Sequence, residues 1–378
     1  MKIALATDAW HPQVNGVVRA LSTTVDRLRL RGHVVELITP DQYWTVPCPG
    51  YAEIRLALGC GRRVARRLDA AYPDAVHIAT EGPIGWAARK WCLMNGVEFT
   101  TSFHTRFPDY AALRTRLPAD WFWPLLRRFH GRATRVMVAT LLLADEIAGR
   151  GLTRTHRWPL GVDGAQFHRG VAPHPAMSAL NHPIQLYVGR VAIEKNHAAF
   201  LEIANKGSKV VVGDGPDLVW LWARFPRVTF LGPLHGEALA SAYTAADVFV
   251  FPSLTDTFGL VNVEALACGL PVAAFPVCGP IDIIGRDGCG VHGGNQPIGA
   301  LDENLASAIS RALHADRQAC VAEADHYDWE TCTDAFEQGL VAVAGPVATR
   351  SGLPRTPLLS HCARHVEHGI YQVEPRRA

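Results

Sequence analysis

The sequence of 378 residues lacks several features that would assign it to a class at once. Its nine cysteines include no C-x-x-C pair, which argues against a zinc site and, in a reducing compartment, against disulfides. No segment offers the run of about 18 apolar residues that a membrane-spanning helix needs. Residues 2–7 have the pattern of a buried first strand instead of a signal peptide, so we expect a cytoplasmic protein.

The composition indicates a soluble globular chain with an uneven distribution of charge. It is 48% hydrophobic and 19% charged, and its length suffices for two ordinary domains with full cores. Residues 1–170 contain 23 Lys and Arg against 14 Asp and Glu, whereas residues 171–378 contain 14 against 21. The net charges of +9 and −7 indicate two domains with different surroundings.

The positive charge of the first half is clustered. No recognised nucleic-acid-binding motif accompanies it, so we do not expect a nucleic-acid partner. The segment Trp121–Phe129 sets aromatic and aliphatic side chains beside cations, which is typical of segments that lie on an anionic membrane surface. An ordinary helix with Trp and Phe in the core and Arg in water fits the same pattern. The clustered arginines are Arg62, Arg63, Arg66, Arg67, Arg127, Arg128, Arg132 and Arg135.

Strand patterns alternate with helix patterns in both halves of the chain. Such alternation predicts an α/β fold with two parallel sheets, each covered by helices on both faces. We expect the junction at about residues 168–183, where proline, glycine and histidine break both periodicities. The predicted strands are 2–7, 34–39, 75–78, 99–102 and 135–139, then 184–188, 209–212, 228–230, 248–251 and 271–274, and the clearest helices of the first half are 16–31 and 85–95.

Ligands of open parallel sheets bind beyond the carboxyl ends of the strands, so the loops that follow strands are the candidate sites. After the first strand, Asn15 and Gly16 permit a tight turn at a helix start that would admit a diphosphate. This loop is not a G-x-G-x-x-G motif, which weakens a dehydrogenase interpretation. After the strand 99–102, the loop 103–110 concentrates polar and aromatic groups, and its His104 is either a structural histidine or a site residue.

Two loops of the second half combine glycine with charge. Gly189 frees the turn after the strand 184–188, and Arg190 and Lys195 supply two cations five residues apart. An Arg fork and a Lys point charge together neutralise a diphosphate, which makes this loop a candidate phosphate clamp. Alone, the two cations would be better interpreted as solvated surface groups. The loop Gly213-Asp214-Gly215 favours the clamp, because it also follows a strand and allows a second close approach of the backbone.

A third segment of the second half places Asp256 eight positions before Glu264, around the turn Phe258-Gly259-Leu260 that opens a helix. Unpaired N–H groups at such a helix N-terminus favour a phosphate or an oxygen-rich ligand. Glu264 would lie about two turns further along, where its carboxylate can accept hydrogen bonds from vicinal hydroxyls. For an isolated pair of acids, the simpler interpretation is that Asp256 is an N-cap and Glu264 a solvated helix residue.

Taken in order along the chain, these motifs resemble those of glycosyltransferase family 4, a family of retaining enzymes with the GT-B fold. The resemblance covers roughly residues 1–340. The first half resembles the branch of bacterial glycolipid synthases, which includes sulfoquinovosyl-diacylglycerol synthase and related mannosyltransferases. The motifs that carry the resemblance are residues 10–19, 75–83 and 102–108 in the first half and 187–190, 194–196, 212–216, 256–264 and 269–272 in the second.

The resemblance implies two Rossmann-like, doubly wound parallel-sheet domains that face a central cleft. Residues 1–170 would form an acceptor-binding domain and residues 171–326 a nucleotide-sugar-binding domain. A helix at about 327–345 would cross back to the first domain. Residues 346–378 are rich in Pro, Arg and His with little amphipathic pattern, and we expect them to form a poorly ordered tail.

The resemblance also implies a role for each candidate residue. Arg190 and Lys195 would hold the donor diphosphate with Gly16 close to it, and Glu264 would bind the nucleotide ribose. Asp256 and the amides of the following turn would position the donor sugar, which His104 would face. The implied catalytic set is Arg190, Lys195, His104 and Asp256, and the donor-binding set is Asn15, Gly16, Gly189, Gly213, Asp214, Gly215, Phe258, Gly259, Leu260 and Glu264. The family commonly has Glu where this chain has Asp256, so the choice of donor sugar does not carry over.

The implied function is transfer of a sugar from a UDP- or GDP-sugar to a hydroxyl group, with retention at the anomeric carbon. The two cations would replace a metal ion, so we expect no metal and no other cofactor. The expected acceptor is a membrane lipid such as diacylglycerol, and the expected location is the cytoplasm or the inner face of the cell membrane. A soluble or polysaccharide acceptor, a GT-B sugar-nucleotide epimerase and a non-catalytic binding protein descended from a transferase are the alternatives.

Overall fold

Two parallel sheets dominate the computed structural model, which describes residues 1–13, 15–48 and 51–343, with the backbone alone for residues 51–53. The central strands of both sheets are buried along almost their whole length, because helices cover both faces. This architecture confirms the predicted α/β class. The predicted tail, residues 346–378, lies outside the described residues.

The first sheet has six parallel strands in the order β2-β1-β5-β6-β7-β8, and β3 and β4 form a separate antiparallel hairpin. Its strand order reverses between the neighbours β1 and β5. The strands are β1 (Lys2–Ala6), β2 (Val34–Ile38), β3 (Thr45–Cys48), β4 (Tyr51–Ala57), β5 (Ala75–Ile78), β6 (Thr100–Ser102), β7 (Arg135–Val138) and β8 (Thr155–Arg157). The helices are α1 (Gly16–Leu30), α2 (Gly61–Ala71), α3 (Pro83–Asn95), α4 (Phe107–Thr115), α5 (Trp123–His130) and α6 (Leu141–Gly149).

The second sheet has six parallel strands in the order β11-β10-β9-β12-β13-β14, the order of a dinucleotide-binding sheet. Its reversal lies between β9 and β12, where Phe249 pairs with Leu186. The strands are β9 (Ile184–Val188), β10 (Ser208–Val212), β11 (Thr229–Gly232), β12 (Val248–Phe251), β13 (Val272–Ala274) and β14 (Gly299–Leu301). The helices are α7 (His197–Leu201), α8 (Leu218–Arg224), α9 (Gly236–Thr244), α10 (Leu260–Ala267), α11 (Pro280–Ile284), α12 (Leu305–Ala312) and α13 (Arg317–Ala324).

The last described helix, α14 (Trp329–Gly339), returns to the first sheet. Phe336 packs against Trp158 with ring centroids 4.9 Å apart, and His156 Nε2 lies 2.8 Å from the carbonyl oxygen of Ala335. Arg31, the residue after α1, forms ion pairs with Glu330 and Asp334 of α14. The crossing helix expected at about 327–345 is therefore present. It begins two residues later than predicted and ends at Gly339, four residues before the last described residue.

The sequence-based strand boundaries agree with the structure to within one residue for most strands. The sequence prediction missed the hairpin β3–β4 and the edge strands β8 and β14. The first sheet ends at Arg157 and the second begins at Ile184, so the predicted junction falls between them. The division of the chain at residue 170 stays a prediction.

Candidate active site

The loops after the neighbouring strands β9 and β10 of the second sheet pack directly against each other. Gly213 has φ of +138°, and a Cβ there would lie 1.9 Å from the carbonyl oxygen of Gly189. A Cβ on Gly215 would lie 2.2 Å from the carbonyl oxygen of Val191, and Val191 N–H donates to the carbonyl of Asp214 at 2.9 Å. Gly213 and Gly215 thus allow one loop to approach the other, which is a structural reason for glycine at these positions beside the predicted approach to a ligand.

Lys195 and Asp256 form a buried ion pair between the loops after β9 and β12. Lys195 Nζ donates to both carboxylate oxygens of Asp256, at 2.6 and 2.8 Å, and each side chain is only 17% exposed. Burial lowers the pKa of Lys195, but the charge and hydrogen bonds of Asp256 together with the nearby Tyr110 and Tyr187 outweigh this effect, and the pKa is raised overall. Lys195 is therefore a permanent cation. The two loops are further joined by Asn196, whose Nδ2 donates to the carbonyl of Pro252 at 3.2 Å.

The helix α4 of the first domain covers this ion pair from across the cleft. Burial raises the pKa of Tyr110, on α4, to about 12, and the smaller, opposing effects of Lys195 and Asp256 on this pKa place its hydroxyl near the ion pair. Burial raises the pKa of Asp217 just before α8, and the charges of Arg190 and of Arg114, one turn further along α4, partly oppose this rise. The first domain thus closes over one side of the candidate clamp, and the sequence prediction missed Tyr110 in this position.

The structure excludes the simpler interpretation of the two acids. The N-cap of α10 is Gly259, with φ of +82° and no side-chain cap, so Asp256 does not cap the helix. Glu264 is not solvated, because its side chain is only 3% exposed. The prediction that Glu264 lies about two turns along the helix is wrong: it is the fifth residue of α10, which begins at Leu260, and lies about one turn from the N-terminus.

Both carboxylate oxygens of Glu264 have partners, and one of them comes from the first domain. Arg19 of α1 forms an ion pair with Oε1, and the Tyr243 hydroxyl donates to Oε2 at 2.9 Å. The Arg19 guanidinium also lies over the Phe167 ring, 5.1 Å from its centroid. Burial raises the pKa of Glu264, while the charge of Arg19 and the hydrogen bonds from Arg19 and Tyr243 oppose this rise. Arg19 belongs to the motif at residues 10–19, but the sequence pattern predicts no role for it.

The predicted loop after β1 meets the predicted turn before α10. Asn15 caps α1 by accepting a hydrogen bond from the N–H of Val18 at 3.0 Å. A Cβ on Gly16 would lie 3.7 Å from Leu260 Cδ1, so the N-termini of α1 and α10 face each other across the cleft. The Phe258 side chain is buried, with its ring 6.0 Å from that of Tyr327. Of Phe258, therefore, only the backbone is available to a ligand in the cleft.

His104 lies on the first-domain side of the same cleft. Its carbonyl oxygen accepts a hydrogen bond from the Thr257 hydroxyl at 2.8 Å, which places it beside the residue that follows Asp256. Its ring packs edge-on against Trp158, 5.3 Å between centroids, and no described residue forms a hydrogen bond with its Nε2. Burial and the nearby His130 lower the pKa of His104 to about 4, so the imidazole is neutral at pH 7. A neutral histidine with an unused ring nitrogen has the chemistry to form a hydrogen bond with a sugar hydroxyl, although this nitrogen is buried.

The described residues contain no group of three or more His, Cys, Asp or Glu side chains that could hold a metal ion. The absence of a metal requirement stays a prediction.

Asp8, at the carboxyl end of β1, is a buried acid that the sequence pattern does not mark as a site residue. It accepts hydrogen bonds from the N–H groups of Ile84 and Gly85 at the start of α3, which explains its burial without a ligand.

The segment Trp121–Phe129 is divided between core and surface. Trp123, Leu126 and Phe129 are buried, as the ordinary-helix interpretation requires. Trp121 is 68% exposed, and Leu125 is also exposed. They adjoin further exposed side chains of α4, because the turn at Trp121 packs on both α4 and α5. We define the basic apolar surface by Phe107, Leu113, Arg114, Arg116, Leu117, Trp121, Leu125, Arg127 and Arg128. No helix within the described ranges has the length and apolarity to cross a membrane.

Comparison with known proteins assigns both halves of the chain. Residues 14–166 match the family model described as Glycosyltransferase Family 4, and residues 182–315 match one described as Glycosyl transferases group 1. A GDP-mannose-dependent alpha-mannosyltransferase of Mycobacterium tuberculosis is 30% identical over 347 residues, which cover 85% of this chain and 90% of the relative. The chain belongs to glycosyltransferase family 4.

Two further relatives place this glycosyltransferase in the branch that the first half resembles. Sulfoquinovosyl transferase SQD2 of Arabidopsis thaliana is 28% identical, with 85% of this chain and 69% of the relative covered. Alpha-monoglucosyldiacylglycerol synthase of Acholeplasma laidlawii is 26% identical, with 72% and 79% covered. Both the family and the branch predicted from the motifs are thereby confirmed.

The glycosyltransferase has the GT-B fold. A sucrose-phosphate synthase from Thermosynechococcus elongatus superimposes with a TM-score of 0.68 at 22% identity, covering 89% of this chain and 97% of that one. At this identity the likeness concerns the fold alone. The described domains, their facing sheet edges and the crossing helix α14 agree with it.

Proposed function

We propose that this glycosyltransferase moves a sugar from a UDP- or GDP-sugar to a hydroxyl group of a membrane lipid such as diacylglycerol, with retention and without a metal ion. The observation that carries the proposal is the buried Lys195–Asp256 ion pair at the reversal of the second sheet. Open parallel sheets bind their ligands at this position. The relatives named for GDP-mannose and for diacylglycerol support the choice of donor and acceptor class.

The diphosphate of the donor would lie between the cations and the N-terminus of α10. Lys195 already carries a fixed positive charge, and Arg190 follows β9 in the same loop. Together they would neutralise the negative charge that builds up on the departing nucleoside diphosphate, which is the contribution a metal ion makes in other transferases. Asp256 would exchange part of its contact with Lys195 for a hydroxyl of the donor sugar. Because Asp256 has one methylene fewer than Glu, it would reach less far into the sugar pocket.

The state of the two acids supports a mechanism without a covalent glycosyl-enzyme. A retaining hydrolase needs a carboxylate nucleophile beside the anomeric carbon. Here Asp256 is paired with Lys195 and Glu264 with Arg19, so neither carboxylate is disposed to attack. Retention would instead come from entry of the acceptor hydroxyl on the face from which the diphosphate leaves. His104, neutral and beside Thr257, would bind the sugar between these groups.

The basic apolar surface supports a lipid acceptor. Trp121 and Leu125 are exposed, as are Arg127 and Arg128 close to them in the sequence, and aromatic bulk near cations suits the interface of an anionic bilayer. This surface includes α4, the helix whose Tyr110 covers the candidate clamp. A bilayer bound there would present its lipid hydroxyls near the cleft.

The test is an assay that pairs UDP- and GDP-sugars with vesicles containing diacylglycerol and identifies the product by mass. The expected product is diacylglycerol plus one hexose, formed equally well with excess EDTA, and the proton spectrum of its anomeric centre gives the stereochemistry. Inversion of configuration or a strict need for a divalent ion would overturn the corresponding part of the proposal. Transfer to soluble sugars alone would replace the lipid acceptor by a soluble one. An isomerised sugar nucleotide in the absence of acceptor would mark an epimerase.

A further inference from the structure

The carboxylate of Glu264 is held from two sides by residues of different domains. Arg19, on α1 of the first domain, contacts Oε1, and Tyr243, on α9 of the second domain, donates to Oε2 at 2.9 Å. A carboxylate has about four acceptor positions on its two oxygens. Arg19 and Tyr243 occupy two of them, so each oxygen keeps the capacity to accept one further hydrogen bond. Two such positions on one carboxylate match a pair of vicinal hydroxyls.

The contact follows from the alignment of two helices. Arg19 lies three residues after Gly16 on α1, and Glu264 lies four residues after Leu260 on α10, so each pair occupies one face of its helix. Gly16 faces Leu260 and Arg19 faces Glu264, which makes two successive contacts across the cleft. The Phe167 ring lies against the Arg19 guanidinium, and the Tyr243 ring packs on Phe167 with its centroid 5.9 Å away. Arg19 is thus fixed by packing and not only by its charge.

We infer that Arg19 is a positioning residue of the donor site, which holds the Glu264 carboxylate in the orientation that binds the ribose hydroxyls of the nucleotide. This inference rests on the proposed function, because it takes a nucleoside diphosphate as the ligand. It adds that the first domain completes the nucleotide pocket of the second. Nucleotide binding and closure of the cleft are then coupled, since an open cleft would leave the buried Glu264 without its cation.

The first test measures the affinity of the ligand-free enzyme for UDP and GDP by titration calorimetry. Arg19→Met should weaken binding of the preferred nucleotide on the order of 10–100-fold, because a charged hydrogen-bonding partner of a buried carboxylate is lost. Arg19→Lys should restore part of the affinity. Arg27→Met is the matched control, since Arg27 lies on the same helix but pairs with Glu330 on α14. This control should bind as the wild type does.

The second test separates the ribose from the diphosphate by repeating the titrations with the 2′,3′-dideoxy nucleoside diphosphate. If Arg19 acts through Glu264, the wild type should lose affinity for this analogue, and Arg19→Met should bind it within about twofold of the wild type. An undiminished penalty would mean that Arg19 contacts the diphosphate directly, and it would overturn the inference. Equal affinity of Arg19→Met and wild type for the full nucleotide would overturn it too.

Steady-state kinetics add a readout that loss of folding would not reproduce. Arg19→Met should raise the KM for the donor while kcat stays within a few-fold of the wild type, because the chemical groups at the diphosphate and sugar are untouched. Failure of the proposed lipid transfer is distinguishable, because the calorimetric result needs no acceptor. An enzyme that binds neither UDP nor GDP would overturn both proposals together.

Discussion

The two domains differ in where the charged side chains of their proposed binding sites lie, buried as a pair in the second domain and exposed in the first. In the second domain, Lys195 and Asp256 are buried as a pair at the carboxyl ends of β9 and β12. In the first domain, cations such as Arg127 and Arg128 remain exposed beside exposed apolar side chains. A buried pair fixes the geometry of a small ligand, whereas an exposed set attracts an extended anionic surface.

One first-domain cation is not exposed in this way but links the two domains. Arg19 is a first-domain cation that forms an ion pair with a buried acid of the second domain, Glu264. The backbone carbonyl of His104 accepts a hydrogen bond from the Thr257 hydroxyl, which is a second contact between the two domains. The side of the first domain that faces the cleft therefore serves the donor, while α4 and α5 expose the basic apolar surface.

Loss of the second-domain cation should have the largest effect. Lys195→Ala removes a charge that faces the diphosphate and leaves Asp256 unpaired beside it, so we expect kcat/KM to fall about 10²–10³-fold. Lys195→Arg keeps the charge and should retain more of the activity. Lys206→Ala, a change at an exposed lysine of the same domain, is the control. If Lys195→Ala turns over at nearly the normal rate while its unfolding temperature is unchanged, the clamp assignment fails.

The sequence predicted the loops of this site but not the pairs within them. Buried strands such as β9 and β12 have strong local patterns, so their ends, and with them the loops, could be located. The partners of an ion pair cannot be located in this way, because Lys195 and Asp256 are 61 positions apart and Arg19 and Glu264 are 245 apart. Only the relative placement of sheets and domains brings them together.

The elements that the sequence did not reveal are those with weak local patterns. β8 and β14 are edge strands of three residues each, too short to show an alternation of apolar and polar side chains. The burial of Glu264 escaped prediction for a related reason. An acid on a helix is normally solvated, and only Arg19 and Tyr243, both distant in sequence, make its burial tolerable.

Replacement of His104 tests whether the first-domain side of the cleft binds the donor sugar. His104→Ala removes the ring that is expected to bind the donor sugar, and the loss of one such hydrogen bond predicts a fall in kcat of about 10-fold. The affinity for the free nucleoside diphosphate should not change, because the ring is not expected to contact it. His33→Gln, which alters a histidine paired with Glu337 on α14, is the control. A loss of nucleotide affinity as large as the loss of kcat would contradict the assigned role.

The first-domain surface should affect lipid substrates only. Trp121→Ser combined with Leu125→Ser removes two exposed apolar side chains, and we expect sedimentation with anionic vesicles at low salt to fall on the order of 10-fold. Leu30→Ser changes an exposed leucine on α1 and should leave sedimentation unaltered. Binding of UDP or GDP should be the same in all three proteins. If the wild type itself does not sediment, the membrane part of the proposal is wrong.

Asp8 should give the smallest effect, on stability and not on activity. Burial raises the pKa of Asp8 to about 6, against hydrogen bonds from Ile84 and Gly85 that lower it. The native state therefore holds a proton that the unfolded chain has lost above about pH 4, and stability falls as the pH rises through 6. Asp8→Asn cannot ionise, so between pH 5 and 7 the free energy of unfolding of the wild type should drop by about 1 kcal/mol more than that of the variant.

Urea unfolding of both proteins at pH 5, 6 and 7 measures this difference. Asp145→Asn, a change at an exposed aspartate of the same domain, should follow the wild type at each pH. Parallel curves for wild type and Asp8→Asn would mean that Asp8 is ionised throughout, with its charge satisfied by the N–H groups at the start of α3. In that case the first domain, like the second, would keep a stabilised charge at the carboxyl end of its first strand. The contrast between the two domains would then be confined to their outer surfaces.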